Sequence, residues 1–225
     1  MICVSIANCN AQECIAAMKG QDCVEIRLET IKGLDAKFIK EIFSSKAMDI
    51  AASKAIVASK AIATCRPGKI PDSKRKEVLL EAIRSGAAYV DIEVEAEDAY
   101  KKEIITAAKK AGCKVIVSYH NYEKTPTREE LLETIRWCME TSPDIVKIAC
   151  KAESAQDNAR LLGLLDSKMK MAVMGMGKQG RITRVTGHML GNAITYVARE
   201  KGRETAPGQM TRKELEEAVA VLGNE

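Results

Sequence analysis

The chain has 225 residues, 46% hydrophobic and 29% charged, with a net charge of +4. That balance excludes a disordered chain, and no run approaches the roughly 18 apolar residues a membrane span requires. Aromatic residues make up only 4% and no basic stripe is interleaved with them, so neither a nucleic-acid nor a membrane partner is expected.

The first stretch, MICVSIANCN, has no basic residue ahead of its short apolar run. It reads as a first strand rather than a signal peptide, and the cytoplasm is the expected location. Further strands are read in chain order at 23–28, 60–65, 88–94, 113–119, 144–149, 170–174 and 194–198, after the first at 2–7. Between them the clearest helical patterns lie at 97–111, closed by Gly112, and at 127–141, 154–166 and 211–222. Thr127 and Glu130 in TREEL have capping-box spacing, so a helix starts just after YEKTP.

Eight βα units without a break in composition predict one (β/α)8 TIM barrel over residues 1–225 rather than a doubly wound sheet. No glycine fingerprint follows the first strand, which removes the main support for a dinucleotide-binding fold. GMGKQG at 175–180 lacks the order of a phosphate loop and reads as a glycine-rich strand exit. Cysteines at 3, 9, 14, 23, 65, 113, 138 and 150 form no CxxC pair, and the two histidines lie far apart. They read as reduced, mostly buried thiols; no metal and no cofactor is expected.

In a barrel, catalytic groups sit at the C-terminal ends of the strands. Glu25 and Arg27 share a strand face, Arg66 ends ATCR, Asp91 and Glu93 share a face in YVDIE, and His120 closes VIVSYH. Met174 and Met176 leave the seventh strand as packing residues. Taken alone, charges alternating on a strand are compatible with outward salt bridges, and a strand-end histidine with a simple hydrogen bond. Lys147 is harder to dismiss, because DIVKIAC is otherwise the pattern of a strand covered on both faces. An ammonium in such surroundings loses hydration and sheds its proton more readily, and nearby Arg27, Arg66 and Arg184 push the same way. The free amine attacks a ketone or aldehyde to give an iminium ion, and a histidine then moves the acidified proton.

VEIRLE, ATCRP, YVDIE, VIVSYHNYEKTP, DIVKIA, MGMGKQGRITRV and TAPGQMT occur in an order that resembles type I 3-dehydroquinate dehydratases, Schiff-base enzymes of the shikimate pathway. The resemblance runs from the second strand to the last helix. It implies that Lys147 forms the iminium with 3-dehydroquinate and that His120 removes a C2 proton and delivers it to the departing C1 hydroxyl. It assigns Glu25, Arg27 and Arg66 to the ring hydroxyls and Arg184 to the substrate carboxylate. Met174 and Met176 pack on the ring and imine, and Asp91 is an acid behind the site. Thr205 and Gln209 belong to a mobile lid at about 199–210. A homodimer is also implied. Thr205 stands where serine is common, a change that keeps the hydroxyl, and two further features depart from the family pattern. PGKIPDSKRKE follows Arg66 where an acidic residue and Gly-Gly are common, leaving the support of His120 open, and Glu29 replaces an aspartate and is read as lying outside the site. His188 is read as a helix-surface or packing residue. A class I aldolase is the alternative use of the same lysine, but it needs a phosphate site after the seventh and eighth strands, where Arg184 and APGQ suit a carboxylate better.

Overall fold

The computed structural model describes residues 1–44 and 60–223. Among them strands and helices alternate: β1 (Ile2–Ile6), α1 (Ala11–Met18), β2 (Cys23–Arg27), α2 (Ala36–Phe43), β3 (Lys60–Thr64), α3 (Asp72–Arg84), β4 (Tyr89–Glu93) and α4 (Asp98–Ala111). They continue with β5 (Lys114–Asn121), α5 (Arg128–Met139), β6 (Ile145–Lys151), α6 (Ala155–Leu162), β7 (Met171–Met176), α7 (Gly177–Met189), β8 (Thr195–Ala198) and α8 (Arg212–Gly223). The strands form one sheet in the order β7-β6-β5-β4-β3-β2-β1-β8, the topology of a (β/α)8 barrel. All eight expected strands are present, with ends displaced by one or two residues. Every position of β7 and all but the last of β6 are buried, which is why both read as nearly unbroken apolar runs.

The chain divides into two compact units, Cys3–Ile116 and Met1–Ile2 with Val117–Glu225. In the first, β1, β2, β3 and β4 pair in parallel, with Ser5 opposite Glu25, Arg27 opposite Thr64 and Thr64 opposite Asp91. Gly112 ends α4 in the left-handed conformation at φ 70°, as its place after the helical run predicts.

In the second unit, β6 and β7 pair so that Lys147 lies opposite Ala172, Ala149 opposite Met174 and Lys151 opposite Met176. Between β7 and β8 a side chain takes over part of the ladder. Buried Asn192 accepts from the Val173 N–H and donates to the Val173 and Ile194 carbonyls, while the Ala193 N–H donates to the Met171 carbonyl. The Thr127–Glu130 capping box is present, and Ser154 and Asp157 form another at the start of α6.

One local expectation is corrected. The helix read at 154–166 stops at Leu162 and passes into a 3-10 turn, Gly163–Leu165. GMGKQG is the glycine-rich strand exit that was expected, and it is short: β7 runs to Met176 and α7 begins at once at Gly177. That junction depends on glycine, because a Cβ on Gly180 would overlap the Gly175 backbone. All eight cysteines are buried thiols.

Candidate active site

The buried strand that carries Lys147 places it at 4% exposure, with its Nζ 4.0 Å from the centroid of the Tyr196 ring. An aromatic face attracts a nitrogen cation, so Tyr196 supplies a seat that the sequence pattern did not single out. Parallel register puts Met174 and Met176 on the strand face that Lys147 shares, and both methionines are buried. Tyr196 also meets Arg184, whose Nη1 donates to the Tyr196 carbonyl at 3.2 Å.

Arg184 is 3% exposed, and its Nε and Nη2 have no partner among the described residues. Burial, and then the charge of Arg181, push its guanidinium down to about 10. A buried cation with open donors is suited to an anion that brings two oxygens. Its backbone is set by its neighbour Thr183, fully buried, whose hydroxyl donates to the Gly180 carbonyl and accepts from the Gly175 N–H, both at 2.7 Å.

His120 is the penultimate residue of strand β5, half-buried, and stacks on exposed Tyr122 at 6.1 Å between centroids. The loop that leaves it is held in two places. Asn121 Oδ1 accepts from the N–H groups of Glu123 and Lys124, and the Thr125 hydroxyl donates to the carbonyl of Lys151 at the end of β6. Cys150 offers no competing nucleophile, because burial pushes its thiol up to about 12.

Gln209 is buried, and its Oε1 accepts from the Thr205 N–H at 2.7 Å and from the Thr205 hydroxyl at 3.2 Å. The Gly177 N–H donates to the Pro207 carbonyl, so this loop rests on the first residue of α7. Residues 204–209 and Arg181 line an open cleft. His188 is on α7 with Nδ1 3.2 Å from the Thr195 hydroxyl, and burial lowers its pKa; it is a packing residue, as expected.

The other unit carries a separate polar cluster. Glu25 is 3% exposed and accepts from the Ser5 hydroxyl at 2.9 Å and the Thr64 hydroxyl at 3.1 Å, so it is not an outward salt-bridge partner. Arg66 binds Asp91 through both terminal nitrogens, at 3.1 and 2.7 Å, and Glu93 at 2.6 Å. Burial lowers its pKa, but Asp91, Glu93 and Glu25 outweigh burial and hold it well above the usual arginine value. Arg27 pairs with Glu29 at 2.8 Å. Glu29, read in the sequence as lying outside the site, has a side chain only 1% exposed and holds Arg27. Glu93, noted in the sequence only as a same-face neighbour of Asp91, is a full member of the cluster. Among the described residues no group of three or more His, Cys, Asp or Glu is placed to hold a metal ion.

A lysine buried on an aromatic face within a (β/α)8 topology is the arrangement of a barrel enzyme. Residues 2–225 match the model of the type I 3-dehydroquinase family. The chain is 32% identical to 3-dehydroquinate dehydratase from Methanococcus maripaludis strain C7, covering 99% of this chain and 100% of that protein. Among solved structures it resembles the type I 3-dehydroquinate dehydratase of Clostridium difficile with covalently modified comenic acid, at 25% identity, TM-score 0.84, 98% of this chain and 91% of that one. It also resembles the Aquifex aeolicus enzyme, at 29% identity, TM-score 0.79 and 100% of both chains. This chain belongs to the type I 3-dehydroquinase family, a family of hydro-lyases.

Proposed function

We propose that this chain removes water from 3-dehydroquinate to give 3-dehydroshikimate, through an imine on Lys147. The observation that carries the reading is Tyr196, whose ring face receives the Lys147 nitrogen and whose carbonyl holds Arg184, a buried cation with open donors. Arg184 takes the substrate carboxylate with its free fork. The Lys147 amine adds to the C3 ketone and one water leaves, forming an iminium ion that acidifies the C2–H bond. His120 removes that proton and delivers it to the C1 hydroxyl, which departs as water from the same face. A second water hydrolyses the iminium, so the net change is the loss of one water and the return of the free amine.

The Tyr196 face suits both the ammonium and the iminium, since each is a nitrogen cation. Met174 and Met176 pack against the ring and the imine. Glu25, Arg27 and Arg66 hold the ring hydroxyls, with Asp91 behind Arg66. Residues 199–210 act as a lid in which Thr205 and Gln209 close over the carboxylate end. A homodimer working in the cytoplasm, without nucleic-acid partners, completes the reading. Among the described residues no helix is long and apolar enough to cross a membrane. The covalently modified ligand of the Clostridium difficile relative supports covalent chemistry in such a site.

The test is reductive trapping. Borohydride added during turnover of 3-dehydroquinate should leave a stable mass on the peptide containing Lys147, while the same mixture without borohydride develops the enone absorbance of the product. Adduct on another lysine, or turnover with no adduct at all, refutes the mechanism.

A further inference from the structure

Helix α3 carries an arginine that the proposed reaction does not use. Arg75 lies within the helix yet is 3% exposed, and each arm of its guanidinium is committed. Nε donates to the Cys65 carbonyl at 2.9 Å, Nη1 reaches Asp72 at 2.7 Å and Nη2 reaches Glu93 Oε2 at 2.7 Å. Its flat face lies over the Tyr100 ring, 5.4 Å from the centroid. Two of these contacts converge on Arg66. Cys65 is the residue before it, and Glu93 Oε1 accepts from Arg66 Nη1 at 2.6 Å while Oε2 goes to Arg75. One carboxylate is thus shared between two arginines, with Arg75 gripping it and the main chain that presents Arg66.

We infer that Arg75 is a positioning residue for substrate binding, holding Glu93 and the Cys65 carbonyl so that the Arg66 guanidinium keeps one orientation. A lone carboxylate beside Arg66 has freedom about its side-chain torsions, whereas one clamped from its other oxygen by a planar fork does not. The partners of Arg75 come from a strand end, from the start of its own helix, from the next strand and from an aromatic ring. That arrangement fixes direction as well as neutralising charge. Glu93, held from behind by Arg75, is the second acid on Arg66 beside Asp91.

The inference rests on the reading of Arg66 as a contact to substrate hydroxyls, and the experiment separates the two. KM and kcat are measured for Arg66→Met, Arg75→Met and the double variant, with active sites counted by borohydride trapping so that misfolded enzyme does not enter kcat. A merely structural role for Arg75 lowers the number of trapped sites and leaves KM alone. A positioning role raises KM in Arg75→Met about tenfold or more, with little change in kcat per trapped site, and adds nothing further in the Arg66→Met background. Arg75→Lys, which keeps a charge beside Glu93 but loses the fork, should fall between. Asp72→Asn, removing a partner whose side chain is 76% exposed, should leave KM within about twofold. Should Arg75→Met fail to fold, Arg75→Lys and Glu93→Gln carry the same comparison. A raised KM in Arg66→Met with an unchanged one in Arg75→Met, or full additivity, overturns the inference alone. An unchanged KM in Arg66→Met overturns the substrate role of Arg66 and the inference with it.

Discussion

Replacing Arg184 by methionine should make the protein more stable and much less able to bind its substrate. In the folded chain burial, and then the charge of Arg181, lower the guanidinium from its ordinary value to about 10, which corresponds to about 3 kcal/mol of unfavourable charge burial. A basic group whose folded pKa lies below its unfolded value subtracts stability while both states hold the proton, so the whole penalty is present at pH 7 and is relieved only above pH 10. Methionine removes the penalty and forfeits the bond to the Tyr196 carbonyl, worth about 1 kcal/mol. The net gain is about 2 kcal/mol, or about 4–8 °C in Tm for a chain of this size. The same change removes the cation proposed for the substrate carboxylate, and loss of a charge-assisted, two-pronged contact should lower kcat/KM about 100- to 1000-fold. Thermal unfolding with and without a non-reacting cyclic carboxylate reads both effects. The carboxylate should raise the Tm of the wild-type chain and leave the variant unmoved. A variant that melts lower than wild type while keeping its KM would show that Arg184 is a structural cation and sink the assignment.

Three further outcomes follow from the geometry. His120→Ala should still form the borohydride-trappable adduct on Lys147 yet fall at least about 100-fold in kcat, since the proton carrier is gone; normal turnover contradicts the role. Gly208→Ala should raise KM and expose 199–210 to protease, because Gly208 has φ +75° and a Cβ there would meet the Gly177 carbonyl; unchanged KM and cleavage rates would separate this loop from substrate binding. Asp157→Ala should cost about 1 kcal/mol at pH 7 by removing the carboxylate that accepts from the Glu153 and Ser154 N–H groups, the reciprocal half of the capping box at the start of α6. Burial raises the Asp157 pKa, but hydrogen bonds from Glu153 and Ser154 and the charge of Arg160 outweigh it and hold the folded value below the ordinary 3.8. Its contribution is therefore full above about pH 4 and lost as pH falls through the folded value, so denaturation midpoints of wild type and variant should converge in strong acid. A gap independent of pH rules out the carboxylate as its source.

Much of the barrel was legible without coordinates, because strand and helix periods are local. A buried parallel strand announces itself by covered residues on both faces, so Lys147 stood out in DIVKIAC as the one charge such a strand does not need. Thr127 and Glu130 marked a helix start, and Gly112 a helix end, through bonds made within one turn. Motif order likewise carried the candidate roles of His120, Arg184 and Gln209. What the sequence could not state was which charge faces which. Arg75 and Asp72 are a helix-surface pair by spacing, and only packing of α3 against the strands buries the arginine and turns it onto Glu93 and Cys65. That Glu29 holds Arg27 was likewise not stated by the sequence. Tyr196 under Lys147 and Asn192 between β7 and β8 depend on strands that meet only after the chain has run through an intervening helix. Local propensity encodes where a strand or helix begins and ends; the partner of a buried charge is decided by ladder register and helix packing, which bring together residues that no short-range pattern relates.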